Sequence, residues 1–131
     1  MIFGSTRQDD VKSVLFPSRV LSELYSVSTN GGRVHQIMTT PAELAQYSAD
    51  GSTIYFHDRK GYEDEYRKHH TSSVTRDIWS YNVADSTYNQ LTTWEGEDRN
   101  PVLVNDSKMY FLSERSGSFN VWSAALSNGK P

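Results

Sequence analysis

TIYFHDR, residues 53–59, decides the fold because related forms of it occur twice more in the chain. They are MIFGSTR at residues 1–7 and MYFLSER at residues 109–115, at offsets of 52 and 56 residues. Each copy has an aromatic residue in its third place and arginine in its seventh. A repeat at this spacing indicates an architecture built by stacking similar units.

Two further segments repeat after these copies. Glu23-Leu24-Tyr25, Asp77-Ile78-Trp79 and Asn120-Val121-Trp122 each join a polar, an aliphatic and a large aromatic residue, and serine follows each. Gln36-Ile37-Met38-Thr39 and Gln90-Leu91-Thr92-Thr93 form another pair, 54 residues apart. The repeating unit therefore contains several short segments in a fixed order.

The pattern within each unit predicts β-strands. The segments are short, alternate apolar and polar residues, and are bounded by Gly, Asp, Asn and Ser. Asn30-Gly31-Gly32 and Asp50-Gly51 predict hairpin turns, where glycine adopts positive φ without steric cost. We predict ten strands. The first unit lacks its first strand, and the third unit ends after its third strand, near Leu126.

A four-stranded antiparallel unit repeating at this length is the blade of a β-propeller. We therefore predict an all-β partial propeller of about three blades, with the first and last blades incomplete. The blades cover residues 1–40, 41–93 and 94–131. The first strand of each blade lines the central channel of such a fold, and here these strands contain residues 44–47 and 101–104.

The sequence also resembles known propellers. Residues 48–56, 77–79 and 90–92 resemble the repeat of TolB-type proteins. Residues 64–79 and 95–101 are similar to the N-terminal propeller of tricorn-protease-like serine peptidases, relatives of the C-terminal-processing proteases. The resemblance implies a non-catalytic segment that binds or gates polypeptide substrate or mediates assembly, in an extracytoplasmic, periplasmic protein. The catalytic serine of such peptidases lies in a later domain, and no position here matches its motif.

The composition excludes several classes of protein. The chain has 131 residues, of which 36% are hydrophobic and 22% charged, as in an ordinary globular domain. Its net charge of −3 argues against a nucleic-acid partner, and no apolar run is long enough to span a membrane. Cysteine is absent, which excludes disulfides and thiolate metal sites. We find no secretory signal on this chain, and composition alone leaves the compartment open.

The residues that could carry chemistry favour structural roles. No H-E-x-x-H pair or other zinc-ligand spacing occurs among the four histidines, so we expect no metal and no cofactor. Ser72, His70 and Asp77 could be written as a triad, but no G-x-S-x-G elbow is present. The acidic runs at 63–65 and 95–98 are interpreted as solvated loops rather than as a glycosidase carboxylate pair.

Residues that recur at equivalent places are predicted to build the blades. They are Arg7, Arg59, Arg115, Tyr25, Trp79 and Trp122. A guanidinium at the end of the second strand can bond turn carbonyls or a neighbouring carboxylate. The aromatic residue of the third strand packs between adjacent blades. We expect Trp79 and Trp122 to be mostly buried, and Trp94, in a connection, to be more exposed than either.

The long connections predict a binding face. Strand direction alternates along a meander, so the connection at residues 60–75 and the one at 94–99 leave the sheets on the same side. Long loops on a rigid sheet are the usual place for recognition, although these insertions could instead pack against a neighbouring domain. The candidate binding residues are Tyr62, Tyr66, His69, His70, Glu97, Asp98 and Arg99.

The expected partners are polypeptide substrate or other domains of a longer protein. Because a three-blade arc cannot close, we expect each end blade to expose an apolar face and the isolated chain to self-associate. Two other interpretations remain open. One is a TolB-like interaction module unconnected to a peptidase, and the other is a glycosidase on a propeller scaffold.

Overall fold

The computed structural model describes residues 1–7, 21–61 and 72–127, and their regular secondary structure is entirely β. The strands are β1 Ile2–Ser5, β2 Glu23–Ser26, β3 His35–Met38, β4 Ala42–Tyr47, β5 Thr53–Asp58, β6 Ile78–Asn82, β7 Tyr88–Gln90, β8 Asp98–Asn105, β9 Lys108–Ser113 and β10 Asn120–Ala125. The described part of the chain contains no helix that could cross a membrane. The all-β prediction is confirmed.

The strands form three antiparallel sheets, each a simple meander. The first sheet has the order β1-β2-β3, the second β4-β5-β6-β7 and the third β8-β9-β10. The second sheet is a complete four-stranded blade. The first matches its last three strands and the third its first three, so the architecture is the predicted partial propeller with incomplete end blades.

Two apolar clusters hold the sheets together. Leu24 and Met38 of the first sheet pack against Ile54 and Phe56 of the second. On the opposite face of the second sheet, Tyr55, Ile78 and Leu91 pack against Met109, Phe111 and Leu126. Successive side chains of a strand point to opposite faces, so β5 contributes alternately to both clusters and is almost wholly buried.

The strand register corrects the sequence alignment of the repeats. The third-strand aromatic pairs with Phe3 in the first sheet, with Phe56 in the second and with Phe111 in the third. Sequence comparison had matched Tyr55 with Phe3 and Phe111, which is one residue away from the register in the structure. Tyr55 instead lies on the opposite face of the sheet, in the other apolar cluster.

The same shift changes which cation is equivalent to Arg7 and Arg115. Nε of each arginine donates to the hydroxyl of the serine two residues earlier. The Nε–Oγ distance is 3.5 Å for Arg7 and Ser5 and 2.8 Å for Arg115 and Ser113. Lys60 makes the corresponding contact in the second sheet, with Nζ 3.5 Å from Asp58 Oδ2. The prediction that Arg59 is the repeat arginine of the second blade is therefore wrong, and Lys60 occupies that place.

The tryptophans differ in burial. Trp79 is half-buried and packs against the first apolar cluster. Trp122 is 37% exposed, against 36% for Trp94, so the expectation that it is mostly buried and less exposed than Trp94 is wrong. Trp122 lies on β10, the outermost strand of the third sheet, where the guanidinium of Arg115 covers its ring at 5.1 Å.

We expect Trp79→Ala to destabilise the chain by about 2–3 kcal/mol and Trp122→Ala by about 1 kcal/mol. The difference follows from the larger apolar contact that Trp79 makes with the first cluster. Urea unfolding of the two variants measures it. An equal loss at both positions would contradict the packing described here.

Candidate functional site

Two matching bulges shape the inner strands of the second and third sheets. Leu44 in β4 and Asn100 in β8 have positive φ, 49° and 55°, which is uncommon for residues other than glycine. Each lies where the pairing with the next strand shifts register. At the second bulge the Asn100 N–H leaves the ladder and donates to His57 Nδ1 at 2.9 Å.

A cleft of about 920 Å³ opens beside these bulges. Its walls are residues 2–6, which contain β1, and the start of β4 at residues 42–45, together with Ser22 and Leu24. Besides the hydroxyl side chains of these walls, it is lined by Glu43, His57, Arg76, Arg99 and Asn100. The cleft therefore lies where the inner strands of the three sheets approach one another, the region predicted to line a channel.

Glu43 is the carboxylate at the wall of the cleft. Its Oε1 accepts from Arg59 Nη1 at 2.5 Å, and its Oε2 lies 3.4 Å from His57 Nε2 and 3.9 Å from Arg76 Nε. The hydrogen bond from His57, aided by Arg59 and opposed by partial burial, lowers the pKa of Glu43 to about 2. Because His57 Nδ1 accepts from Asn100, the proton of the neutral ring lies on Nε2, facing Glu43.

A second carboxylate lies deeper. Glu97 is 1% exposed and accepts from Arg76 Nη1 at 2.6 Å and Arg99 Nη1 at 3.3 Å. Arg76 and Arg99 also line the cleft. The cleft is thus suited to carboxylates and backbone carbonyls.

The predicted binding residues that the structure describes differ in burial and location. Glu97 and Asp98 are buried, so the interpretation of 95–98 as a solvated acidic loop is wrong for both. Asp98 begins β8, where its N–H donates to Arg76 O at 3.0 Å and its carboxylate accepts from Arg115 at 2.8 Å. Arg99 does lie at the cleft. The nearest arginine partners of these acids, Arg76 for Glu97 and Arg115 for Asp98, come from distant positions that local sequence does not reveal.

Four of the predicted binding residues lie outside the described ranges: Tyr62, Tyr66, His69 and His70. The shared binding face therefore stays a prediction. The described end of that connection does adjoin the segment at 94–99, because Arg76 precedes β6 and contacts both Glu97 and Asp98.

Sequence reasoning missed two residues that line the cleft, Glu43 and Arg76, and gave no individual role to Gln46. The Gln46 side-chain amide bridges two blades, donating to Pro101 O at 2.6 Å and accepting from Leu103 N at 3.1 Å. A glutamate and a glutamine within an otherwise apolar inner strand were the available signal. His57 was identified only as a structural histidine, and its partners come from β4 and β8.

The repeat arginines at both ends of the chain share one arrangement. Arg7 covers the Tyr25 ring at 4.7 Å and the Phe3 ring at 5.8 Å. Arg115 covers Trp122 at 5.1 Å and Phe111 at 5.3 Å. Cation–π stacking on a cross-strand aromatic pair is therefore the common role.

Lys60 takes the same place in the second sheet but bonds differently, donating to Asp77 Oδ2 at 2.7 Å and Thr75 O at 2.9 Å. These bonds tie the end of β5 to the segment that leads into β6. Across residues 1–7, 21–61 and 72–127, no three His, Asp or Glu side chains converge as a metal site would require.

The stacked sheets and their inner strands define this chain as a section of a β-propeller. It is similar in fold to the crystal structure of the tricorn protease, with a TM-score of 0.71 and 20% sequence identity. The match covers 99% of this chain and 11% of that protein's chain. No protein-family model and no curated protein matches the sequence significantly. The likeness supports a propeller-type fold.

We expect Glu43→Gln to lower the free energy of unfolding by about 2–3 kcal/mol at pH 7. The pKa of Glu43 falls from 4.5 to about 2 on folding, so the ionised form stabilises the fold above pH 4.5. This contribution is lost as the pH falls through 2. Urea unfolding of both proteins at pH 7 and near pH 2 should show a gap that closes in acid, and a gap of constant size would contradict the assignment.

Proposed function

We propose that this chain is a non-catalytic propeller segment of a tricorn-like serine peptidase and that its cleft binds polypeptide, as a substrate-binding or gating element. The observation that carries the proposal is the cleft itself, which a strand edge borders on one side and Arg76 and Arg99 border on the other. Its volume of about 920 Å³ is enough for several residues of extended chain. Likeness to the tricorn protease over one section of that protein is consistent with a segment whose catalysis takes place elsewhere.

The carboxylates of the cleft do not favour a glycosidase. Glycoside hydrolysis needs a carboxylic acid of raised pKa opposite a second carboxylate. Glu43 has its pKa lowered to about 2, so it holds no proton to donate near neutral pH. Glu97 is buried against two arginines and does not line the cleft. These groups are suited to fixing arginines in place rather than to acid catalysis.

Binding of a permanently unfolded polypeptide tests the proposal. Reduced, carboxymethylated α-lactalbumin bearing a fluorophore would be titrated with the chain and followed by anisotropy. We expect saturable binding that weakens at least fivefold in Arg99→Met. Lys108→Met is the matched control, because it removes the same charge from β9, outside the residues that line the cleft.

Mass spectrometry of the same samples should find the polypeptide intact. Absence of binding, equal weakening by the two variants, or cleavage of the polypeptide would each contradict the proposal.

Assembly is the second part of the proposal. The face of the third sheet that points away from the second sheet carries exposed apolar side chains: Val102 at 55%, Tyr110 at 37% and Val121 at 68%. The register makes Tyr110 and Val121 equivalent to Tyr55 and Ile78, which the third sheet buries. Such a face normally finds a partner.

The sequence predicts an exposed apolar face on both end blades. On the outer face of the first sheet, however, Tyr25 is only 2% exposed. We therefore expect self-association to use the third sheet rather than both ends. Light scattering on a sizing column should detect species larger than 14.9 kDa at micromolar concentration, and Val121→Lys should return the chain to a monomer. A wild-type monomer throughout that range would contradict the prediction.

A further inference from the structure

The side chain of His57 joins the second sheet to the third. His57 lies in β5, is 3% exposed, and accepts the backbone N–H of Asn100 in β8 on its Nδ1 atom at 2.9 Å. Asn100 is at the β8 bulge, where the pairing with β9 shifts between Arg99 and Val102. The imidazole is therefore the partner that satisfies this backbone donor.

Gln46 makes the next connection between the same two sheets. Its amide donates to Pro101 O at 2.6 Å and accepts from Leu103 N at 3.1 Å. Side chains of the second sheet thus hold the β8 backbone at two neighbouring points. An amide keeps its donor and its acceptor when the pH changes, whereas a protonated imidazole has two donors and no acceptor. Only the connection at His57 can therefore respond to protons.

Protonation of His57 would put an N–H group on Nδ1, opposite the N–H of Asn100. Two donors cannot form a hydrogen bond, so the bond to the β8 backbone must break. The other ring nitrogen keeps its contact, because Nε2 lies 3.4 Å from Glu43 Oε2 and this carboxylate is a counter-ion for the imidazolium. The ring is thus held in β5 while the bulge of β8 is released.

Glu43 and the arginines around His57 keep their charges in mild acid. The pKa of Glu43 is lowered to about 2, chiefly by the hydrogen bond from His57, so its carboxylate stays ionised. Guanidinium groups stay protonated in proteins. Those near His57 come from the residue after β5, from the segment before β6 and from β8: Arg59, Arg76 and Arg99. Glu97 lies behind the last two, which bind it. Histidine is the side chain whose charge changes between pH 5 and 8, so a shift of pH in that range acts on this set through His57.

We propose that His57 is a pH-sensitive latch between the second and third sheets. The neutral ring holds the β8 bulge at Asn100, and the protonated ring releases the bulge while it stays bound to Glu43. Gln46 keeps the two sheets in register in both states, so the change is confined to the bulge. Arg99 and Asn100 line the cleft, and the latch therefore sets the position of that wall. The inference goes beyond the proposed function, because it concerns the chain without any ligand.

NMR spectroscopy of the isotopically labelled full chain observes the latch directly. An N–H···N hydrogen bond transmits a scalar coupling between its two nitrogens, so Asn100 N and His57 Nδ1 should be coupled near pH 7.5. Near pH 5.5 we expect both ring nitrogens to be protonated and the coupling to be lost. The protection of the Asn100 amide against solvent exchange, relative to its intrinsic rate, should fall about tenfold. The Leu103 amide, which Gln46 binds, is the internal control and should keep its protection.

Two substitutions separate the two contacts of the ring. Asparagine places its side-chain oxygen where Nδ1 lies, so His57→Asn should protect the Asn100 amide equally at both pH values. Glutamine places its amide nitrogen where Nε2 lies, so His57→Gln should keep the contact with Glu43 and leave Asn100 unprotected at both. A ring that stays neutral near pH 5.5, a coupling that persists after the ring is protonated, or the wild-type pH dependence in either variant would overturn the inference. The wild-type spectra alone decide it if a variant fails to fold.

Discussion

Arg76→Met is expected to lower the free energy of unfolding by about 3–5 kcal/mol. The guanidinium is the short-range partner of Glu97, at 2.6 Å, and Glu97 is 1% exposed. Its removal takes away the shortest described contact of this buried carboxylate, since Arg99 Nη1 lies 3.3 Å from it. Methionine retains most of the apolar bulk, so the loss reports chiefly on the broken ion pair. Urea unfolding at pH 7 measures it.

The double variant Arg76→Met/Glu97→Gln is the control for this effect. Removing both charges should recover at least half of the loss, because a buried charge that has lost its nearest partner costs more than an absent pair. If the double variant is less stable than Arg76→Met by the full cost of Glu97→Gln alone, the two residues are not coupled. That additive result would contradict the arrangement of the inner charges.

Phe56→Ala should have an effect of similar size, about 3–5 kcal/mol. Phe56 is fully buried in the first apolar cluster, between the first two sheets, and pairs with Trp79 across β5 and β6. Truncation leaves a cavity that the neighbouring strands cannot fill without losing their register. Thermal or urea unfolding gives the value.

Tyr110→Ala is the matched control, since Tyr110 is an aromatic strand residue that is 37% exposed. We expect it to cost the monomer less than about 1.5 kcal/mol. A loss at Tyr110 equal to that at Phe56 would mean that the faces of the sheets are assigned incorrectly.

The strands could be predicted from the sequence because their apolar residues alternate and turn residues separate them. The repeat indicated three similar units, and the structure has three stacked sheets. The sequence alignment of the repeat is wrong by one residue in the second unit, because β5 is buried on both faces and carries aromatic residues at both Tyr55 and Phe56. Tyr55 and Phe56 both match a repeat that has one aromatic residue at this place. The pairing of Phe56 with Trp79 shows that Phe56 is the equivalent residue.

The second error of the sequence alignment, at the repeat arginine, arose because two basic residues are adjacent. Arg59 and Lys60 follow one another, and an arginine matched the other repeats better than a lysine. The structure assigns Lys60 to the repeat position and directs Arg59 to Glu43 in β4. The residue type alone cannot show whether Arg59 or Lys60 occupies the repeat position, because that depends on which strand supplies the carboxylate partner.

The cleft could not be predicted from local sequence. Its charged groups come from β4, from β5, from the segment before β6 and from β8, and the two bulges bring them together. The sequence pattern predicts that Glu97 and Asp98 lie in a solvated loop, because acidic residues are usually exposed to solvent. Their burial depends on Arg76 and Arg115, which lie 21 and 17 residues away in the chain.

Amide hydrogen exchange tests most directly whether polypeptide binds at the inner edges of the sheets. The full chain would be compared with and without saturating reduced, carboxymethylated α-lactalbumin, and exchange would be followed by peptide. We predict added protection at residues 2–6, with a smaller gain at 42–45, and no change in β7 or β10. Protection confined to β7 or β10, or no protection anywhere while the polypeptide is bound, would contradict this account.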